Sequence, residues 1–186
     1  MSGLRKVLVS LMCHPERSPA VVVPEGKGLE VLLNRTPNYA DAYRFAISKA
    51  IAEGMDLVTA DTDGYHPEME ILKLAQSSFG DGRYLVLPFR ENIGIQSKTY
   101  SLIYSMVKRK RIRDATSGLR RLSYDFMSTL PNLGSRDMTI HIEILNHALR
   151  TKAEIVQYGY ESGVNDEAGS KRTAHYQWKL LKAAFR

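Results

Sequence analysis

The sequence predicts an α/β domain with a mainly parallel sheet, and three features carry that reading. Short apolar runs of strand length, at 6–12, 56–60 and 84–88, alternate with longer segments whose apolar residues recur at helical spacing. Capping and breaking residues fall at the joints between them. With 186 residues, 44% hydrophobic and 25% charged, the chain is long enough for one well-buried core and short for two, so a single domain over 1–186 is expected.

Taken in order, a strand over 6–12 leads into a loop, with further extended pieces at 20–23 and 29–33. Thr36 is placed to cap the clearest helix, with Pro37 in its first turn, Tyr43, Ile47, Ala50 and Ile51 on its apolar face, and Gly54 at its end. A short buried strand, 56–60, then runs straight into acidic residues. Pro67 opens a helix reaching 79, with Ile71, Leu72 and Ala75 turned inward, and 84–88 is another buried strand. Helices are expected at 98–108, 122–130 and 137–149, the last with Met138, Ile142, Leu145 and Leu149 on one face. A strand at 153–160 and a C-terminal amphipathic helix carrying Tyr176, Leu180 and Ala184 complete the alternation.

Several classes fall away. No window approaches the run of about 20 apolar residues that a membrane-spanning helix needs. The chain opens on a short polar lead into a strand rather than a signal peptide, so a cytoplasmic protein is expected, with peripheral attachment to a membrane left open. Cys13, the one cysteine, excludes an internal disulfide. The net charge of +6 favours polyanionic partners: nucleotide diphosphates, lipid phosphates, anionic membrane or nucleic acid. Lys108, Arg109, Lys110, Arg111, Arg113, Arg120 and Arg121 crowd one stretch, the first candidate for an anion-facing surface; the alternative is a solvated basic helix end.

The strongest local signal is Asp61-Thr62-Asp63-Gly64-Tyr65-His66-Pro67, at the C-terminal end of a buried strand, where open α/β sheets place their ligands. Two carboxylates one residue apart are hard oxygen ligands able to hold Mg²⁺ or Mn²⁺ against a diphosphate. The competing reading is an Asx-rich turn that caps the helix at Pro67. His66 reads as a helix-start residue near such a site rather than a ligand, and His14 as a loop residue beside Pro15.

The stretch from Ala46 to Pro67 resembles the Asp-Ala-Asp-Gly-Gln-His-Pro segment of family 2 glycosyltransferases that act on polyprenyl phosphates, as dolichyl-phosphate mannose synthases do. Further matches keep the same order. Arg90 falls where that family carries the arginine of a Gly-Ser-Arg motif, and Asp114-Ala115-Thr116-Ser117-Gly118-Leu119-Arg120 is similar to its Asp-x-Thr-Ser-Gly-Phe-Arg motif. Glu143, the strand over 154–158 and Gly169-Ser170-Lys171 resemble its distal half. The resemblance implies a three-layer nucleotide-diphospho-sugar transferase fold with a mainly parallel central sheet. It implies that Asp61 and Asp63 hold the divalent metal and donor diphosphate, and that Arg90 and Arg120 meet anionic oxygens. Lys171 then lies over the phosphates, Asp114 positions the acceptor, and Asp114 and Arg120 form the catalytic set.

The pattern breaks near the N-terminus. Family members carry Pro-x-Tyr-Asn-Glu and Asp-Asp-Gly-Ser at strand ends that grip the nucleoside; here Leu11-Met12-Cys13-His14-Pro15-Glu16 stands at the first and the second is missing. The nucleoside-binding half is therefore expected to be truncated. Tyr65 replaces the glutamine of the metal segment, and Asp166 with Glu167 stand where an arginine-bearing loop is expected.

The leading expectation is an inverting, metal-dependent hexosyltransferase taking its sugar from a nucleotide diphosphate, with a polyprenyl phosphate at the membrane surface as acceptor and Mg²⁺ or Mn²⁺ as cofactor. The alternative is a non-catalytic relative binding a sugar nucleotide or partner protein, and a homo-oligomer or partner subunit stays open. A nucleic-acid module using 108–121 is disfavoured because no aromatic platform accompanies the charge. The His141-Ile142-Glu143 triplet lacks the Pro-Cys-x-x-Cys partner of a zinc deaminase.

Overall fold

The computed structural model describes residues 6–12, 28–62, 66–162 and 174–185. Strands β1 (Val7–Met12) and β2 (Leu29–Asn34) precede helix α1 (Tyr39–Ala52), strand β3 (Asp56–Asp61), helix α2 (Glu68–Gln76) and strand β4 (Tyr84–Arg90). Helix α3 (Ile95–Lys108), strand β5 (Arg120–Leu122), helices α4 (Tyr124–Met127) and α5 (Ile140–Arg150), strand β6 (Glu154–Tyr160) and helix α6 (Ala174–Ala184) complete the order. The expected extended piece at 20–23 lies outside the described residues.

The six strands form one sheet in the order β2-β1-β3-β5-β4-β6. β2 and β3 pair parallel with β1, and β6 pairs parallel with β4, whereas β5 runs antiparallel between β3 and β4. Five strands therefore end at one edge, and the antiparallel β5 begins there, with Arg120 opposite Thr59. Alternation along the strands divides two cores. Leu8, Leu57, Leu85 and Leu87 face α1, α3, α5 and α6, while Val9, Leu11, Val58, Ala60 and Val86 face Ile71, Leu74 and Ala75 of α2. The sheet is thus covered on both sides, as buried parallel strands require.

Several boundaries differ from expectation for local reasons. Asn38, not Thr36, caps α1: its Oδ1 accepts from the N–H of Ala40 and Asp41, while Thr36 is drawn back to Asn34. Gly54 does come just after the helix, at φ 66°. In α2 the buried residue is Leu74 rather than Leu72, and the helix ends at Gln76. The helix expected over 122–130 is a single turn, because Leu122 belongs to β5 and the Ser123 side chain caps α4 by accepting the N–H of Phe126.

The basic stretch also divides. Arg120 and Arg121 are buried and leave the surface cluster to 108–113. Arg121 donates to the carbonyls of Leu74, Ala75 and Ser77, closing the C-terminal end of α2, and pairs with Asp56 at 2.8 Å. No helix among the described residues is long and apolar enough to cross a membrane.

Candidate active site

The chain crosses from β2, over α1, to β3 on the opposite side of β1, so the switch in winding direction lies between β1 and β3. Open α/β sheets bind ligands in the crevice outside the strand ends at such a point. Asp61, the last residue of β3, stands there in register with Met12 of β1. Thr62 turns its hydroxyl and N–H back to the Met12 carbonyl, which fixes the departure of the chain from the strand.

The Asp61 carboxylate is held from several sides. Tyr39 donates its hydroxyl to Oδ1 at 2.9 Å, and the Tyr39 oxygen lies 2.7 Å from His141 Nε2. Burial, reinforced by the Asp61 charge, pushes the Tyr39 hydroxyl well above its ordinary value, so it keeps the proton it donates. Oδ2 lies against Gly118, where an added Cβ would stand 2.1 Å from it. The Gly118 carbonyl is held by the Thr59 hydroxyl, which also meets Tyr43 at 2.6 Å.

His66 lies beside this carboxylate, with Nε2 4.0 Å from Asp61 Oδ2 and Nδ1 2.6 Å from the Tyr160 hydroxyl. Burial first, then the Arg90 charge, pushes its pKa down to about 3. The imidazole is therefore neutral near neutral pH, and the approach to Asp61 is not an ion pair.

The Asp61 carboxylate, its side chain 20% exposed, is a hard oxygen donor of the kind that Mg²⁺ or Mn²⁺ takes beside diphosphate oxygens. The described residues hold no group of three or more His, Cys, Asp or Glu side chains suited to a metal. One carboxylate with substrate phosphates fits such an ion, so the donor set here fits the expected metal. Asp63, Lys171 and His14 lie outside the described residues.

The other expected site residues turn inward. Arg90, at the end of β4, donates from Nε to Asp114 Oδ2 at 2.9 Å and from Nη2 to the Thr116 hydroxyl at 3.3 Å. Asp114 also accepts the Thr116 N–H and hydroxyl, and at 1% exposure its carboxylate presents no acceptor surface. Its expected acceptor contact is thus replaced by an internal ion pair. Arg120 is corrected more strongly. It is fully buried, and Nε, Nη1 and Nη2 donate to the carbonyls of Ser117, His141 and Ala115. Its role is to close the 115–120 loop and tie it to α5, not to meet an anion. Glu143 likewise receives the N–H groups of Gly134 and Ser135 and holds the loop before α5.

Beside Arg90 opens a cleft of about 460 Å³ lined by Phe89, Lys98, Leu102, Arg111 and Arg113. Arg113 lies 4.9 Å over the Phe89 ring. Lys98 lies outside the expected basic stretch because it sits alone in the sequence. Tyr39 and His141 are site residues that sequence reasoning misses, since no spacing links positions 102 residues apart.

The architecture is that of the three-layer nucleotide-diphospho-sugar transferases. The chain is similar to glucosyl-3-phosphoglycerate synthase from Mycobacterium tuberculosis in complex with Mn²⁺, uridine diphosphate and phosphoglyceric acid, with a TM-score of 0.66 at 14% identity over 97% of this chain and 77% of that one. The complex of that synthase with phosphoglyceric acid gives 0.64 at 14% identity, over 97% and 78%. Its complex with Mn²⁺, UDP-glucose and glycerol 3-phosphate gives 0.57 at 15% identity, over 97% and 79%. At these identities the likeness establishes the fold. No protein-family model and no curated protein matches the sequence.

Proposed function

We propose that this chain is a metal-dependent inverting glycosyltransferase that moves a hexose from a nucleotide-diphosphate sugar to a phosphate-bearing acceptor, a polyprenyl phosphate at a membrane surface. The observation that carries the reading is the held carboxylate of Asp61 at the switch point of the sheet. The named structural neighbour is described with Mn²⁺, UDP and UDP-glucose, which supports a donor of that chemistry. Asp61, with Asp63, would hold Mg²⁺ or Mn²⁺; that ion supplies charge neutralisation to the departing nucleoside diphosphate.

The acceptor belongs in the cleft beside Arg90. Lys98, Arg111 and Arg113 give it positive charge, while Phe89, Ile93 and Leu102 give it apolar wall, a combination suited to a phosphate on a hydrocarbon chain. An ionised phosphate acceptor attacks the anomeric carbon without a protein base, so the burial of Asp114 does not obstruct the reaction. Lys171 is assigned to the donor phosphates.

A second reading, a non-catalytic relative that binds a sugar nucleotide or partner protein, is favoured by one observation: Arg90 and Arg120 are engaged within the fold. Calorimetric titration with GDP-, UDP-, dTDP- and CMP-sugars, with and without Mn²⁺, separates the two. The enzyme reading requires metal-dependent binding of a donor, lost in Asp61→Ala and Asp63→Ala, and sugar transfer to a polyprenyl phosphate. Donor binding without transfer selects the second reading, and no binding at millimolar donor removes the first.

A further inference from the structure

A carboxylate already held in one orientation binds a metal more tightly, and the residues that hold Asp61 come from two helices distant in sequence. We propose that Tyr39 and His141 are positioning residues that fix the Asp61 carboxylate for divalent metal, an inference that rests on the proposed function. The Tyr39 hydroxyl has a single proton and gives it to Asp61 Oδ1. The 2.7 Å approach of His141 Nε2 to the Tyr39 hydroxyl oxygen therefore requires His141 to donate Nε2–H. The direction of the chain is thereby set: His141 to Tyr39 to Asp61.

Both rings are confined. Tyr39 begins α1 immediately after the Asn38 cap, and His141 lies in the first turn of α5, where its carbonyl receives Arg120 Nη1. The His141 ring packs 5.3 Å from Tyr39 and edge-on to Tyr43 at 4.9 Å. Tyr39 is partly buried against the core face of α1, and His141 is buried. Groups that orient a metal ligand typically alter metal affinity 10–100-fold when removed.

The test is Mn²⁺ binding to the full chain, followed by electron paramagnetic resonance and by calorimetry with UDP, for the wild type, Tyr39→Phe, His141→Leu, His141→Gln and the Tyr39→Phe/His141→Leu double variant. Tyr39→Phe and His141→Leu should each weaken Mn²⁺ by about tenfold. Metal-free UDP binding should be unchanged. His141→Gln, which keeps an N–H donor, should recover most of the loss. The double variant should be no worse than the single ones, because one chain of hydrogen bonds is being broken. Thermal unfolding identifies the variants that fold, and the conservative Tyr39→Phe and His141→Gln pair carries the comparison if His141→Leu does not. Unchanged Mn²⁺ affinity in Tyr39→Phe, or losses that add, overturns the positioning role alone. A wild type that binds no Mn²⁺ overturns both this role and the metal-dependent reading.

Discussion

Arg90 donates from Nε to Asp114 Oδ2 at 2.9 Å, and the two side chains, 7% and 0% exposed, neutralise each other inside the site edge. Removing one partner leaves the other charge buried, which typically costs 3–5 kcal/mol, whereas replacing both can be neutral. Asp114→Asn is therefore expected to lower unfolding free energy by about 3–5 kcal/mol in urea titration, and Arg90→Met/Asp114→Leu to recover much of it. Burial alone would raise the Asp114 carboxyl, but the Arg90 charge and the Arg90 and Thr116 hydrogen bonds outweigh it and hold it below its ordinary 3.8. The unfolded chain then takes up this proton more readily. The stabilisation is complete above the ordinary value and is lost as pH falls through the folded value. An acid limb that is identical in wild type and Asp114→Asn would contradict the assignment.

Arg120 tests whether an expected phosphate ligand is instead part of the scaffold. Arg120→Met strips the donors from three carbonyls, those of Ala115, Ser117 and His141. At about 1–3 kcal/mol for each buried acceptor left unpaired, a loss of about 3 kcal/mol or more is expected by chemical denaturation. Nucleotide affinity of the folded fraction should change little. Full stability with lost UDP binding would return Arg120 to a phosphate contact.

The same arginines mark the boundary between what the sequence makes legible and what it does not. β3 was legible because Leu57, Val58 and Ala60 are apolar on both faces, and the Gly54 stop was legible because its positive φ is a local demand. β5 was not. Arg120-Arg121-Leu122 carries no apolar alternation, and its burial is compensated by carbonyls and Asp56 contributed from distant segments. The Asp61 strand end was visible as a motif, while Tyr39 and His141 reach it only through tertiary packing.

The outer face of α3 gives the membrane part of the proposal its own test. Ile95, Leu102 and Met106 recur at helical spacing and are 80%, 62% and 70% exposed. Lys98, Arg111 and Arg113 line a cleft with Leu102, and Arg109 and Lys110 follow the helix, all of them exposed, the charge pattern of a surface that meets anionic lipid. Wild type should co-sediment with vesicles containing phosphatidylserine and less with purely zwitterionic ones. Because burying one such side chain contributes about 1.5–3 kcal/mol, Leu102→Glu/Met106→Glu should weaken vesicle binding tenfold or more. Absence of binding to either vesicle type would remove the membrane surface from the proposal.

Gly118 offers the sharpest perturbation of Asp61 because it adds a single methyl group. A Cβ at Gly118 would stand 2.1 Å from Asp61 Oδ2 and 2.7 Å from its Cγ, so the carboxylate must leave the position in which it accepts from Tyr39. Overpacking of this kind typically costs 1–3 kcal/mol, and Gly118→Ala should lose about that much stability while Mn²⁺ affinity falls more than tenfold. Gly159→Ala is the matched control. Its Cβ would meet Glu91 Oε1 at 2.4 Å and the Phe89 ring at 2.9 Å on the same sheet edge, without touching Asp61. A similar stability loss in both variants, with Mn²⁺ binding reduced only in Gly118→Ala, ties the metal affinity to the carboxylate orientation. Equal Mn²⁺ affinity in the two would mean that Asp61 does not bind the ion.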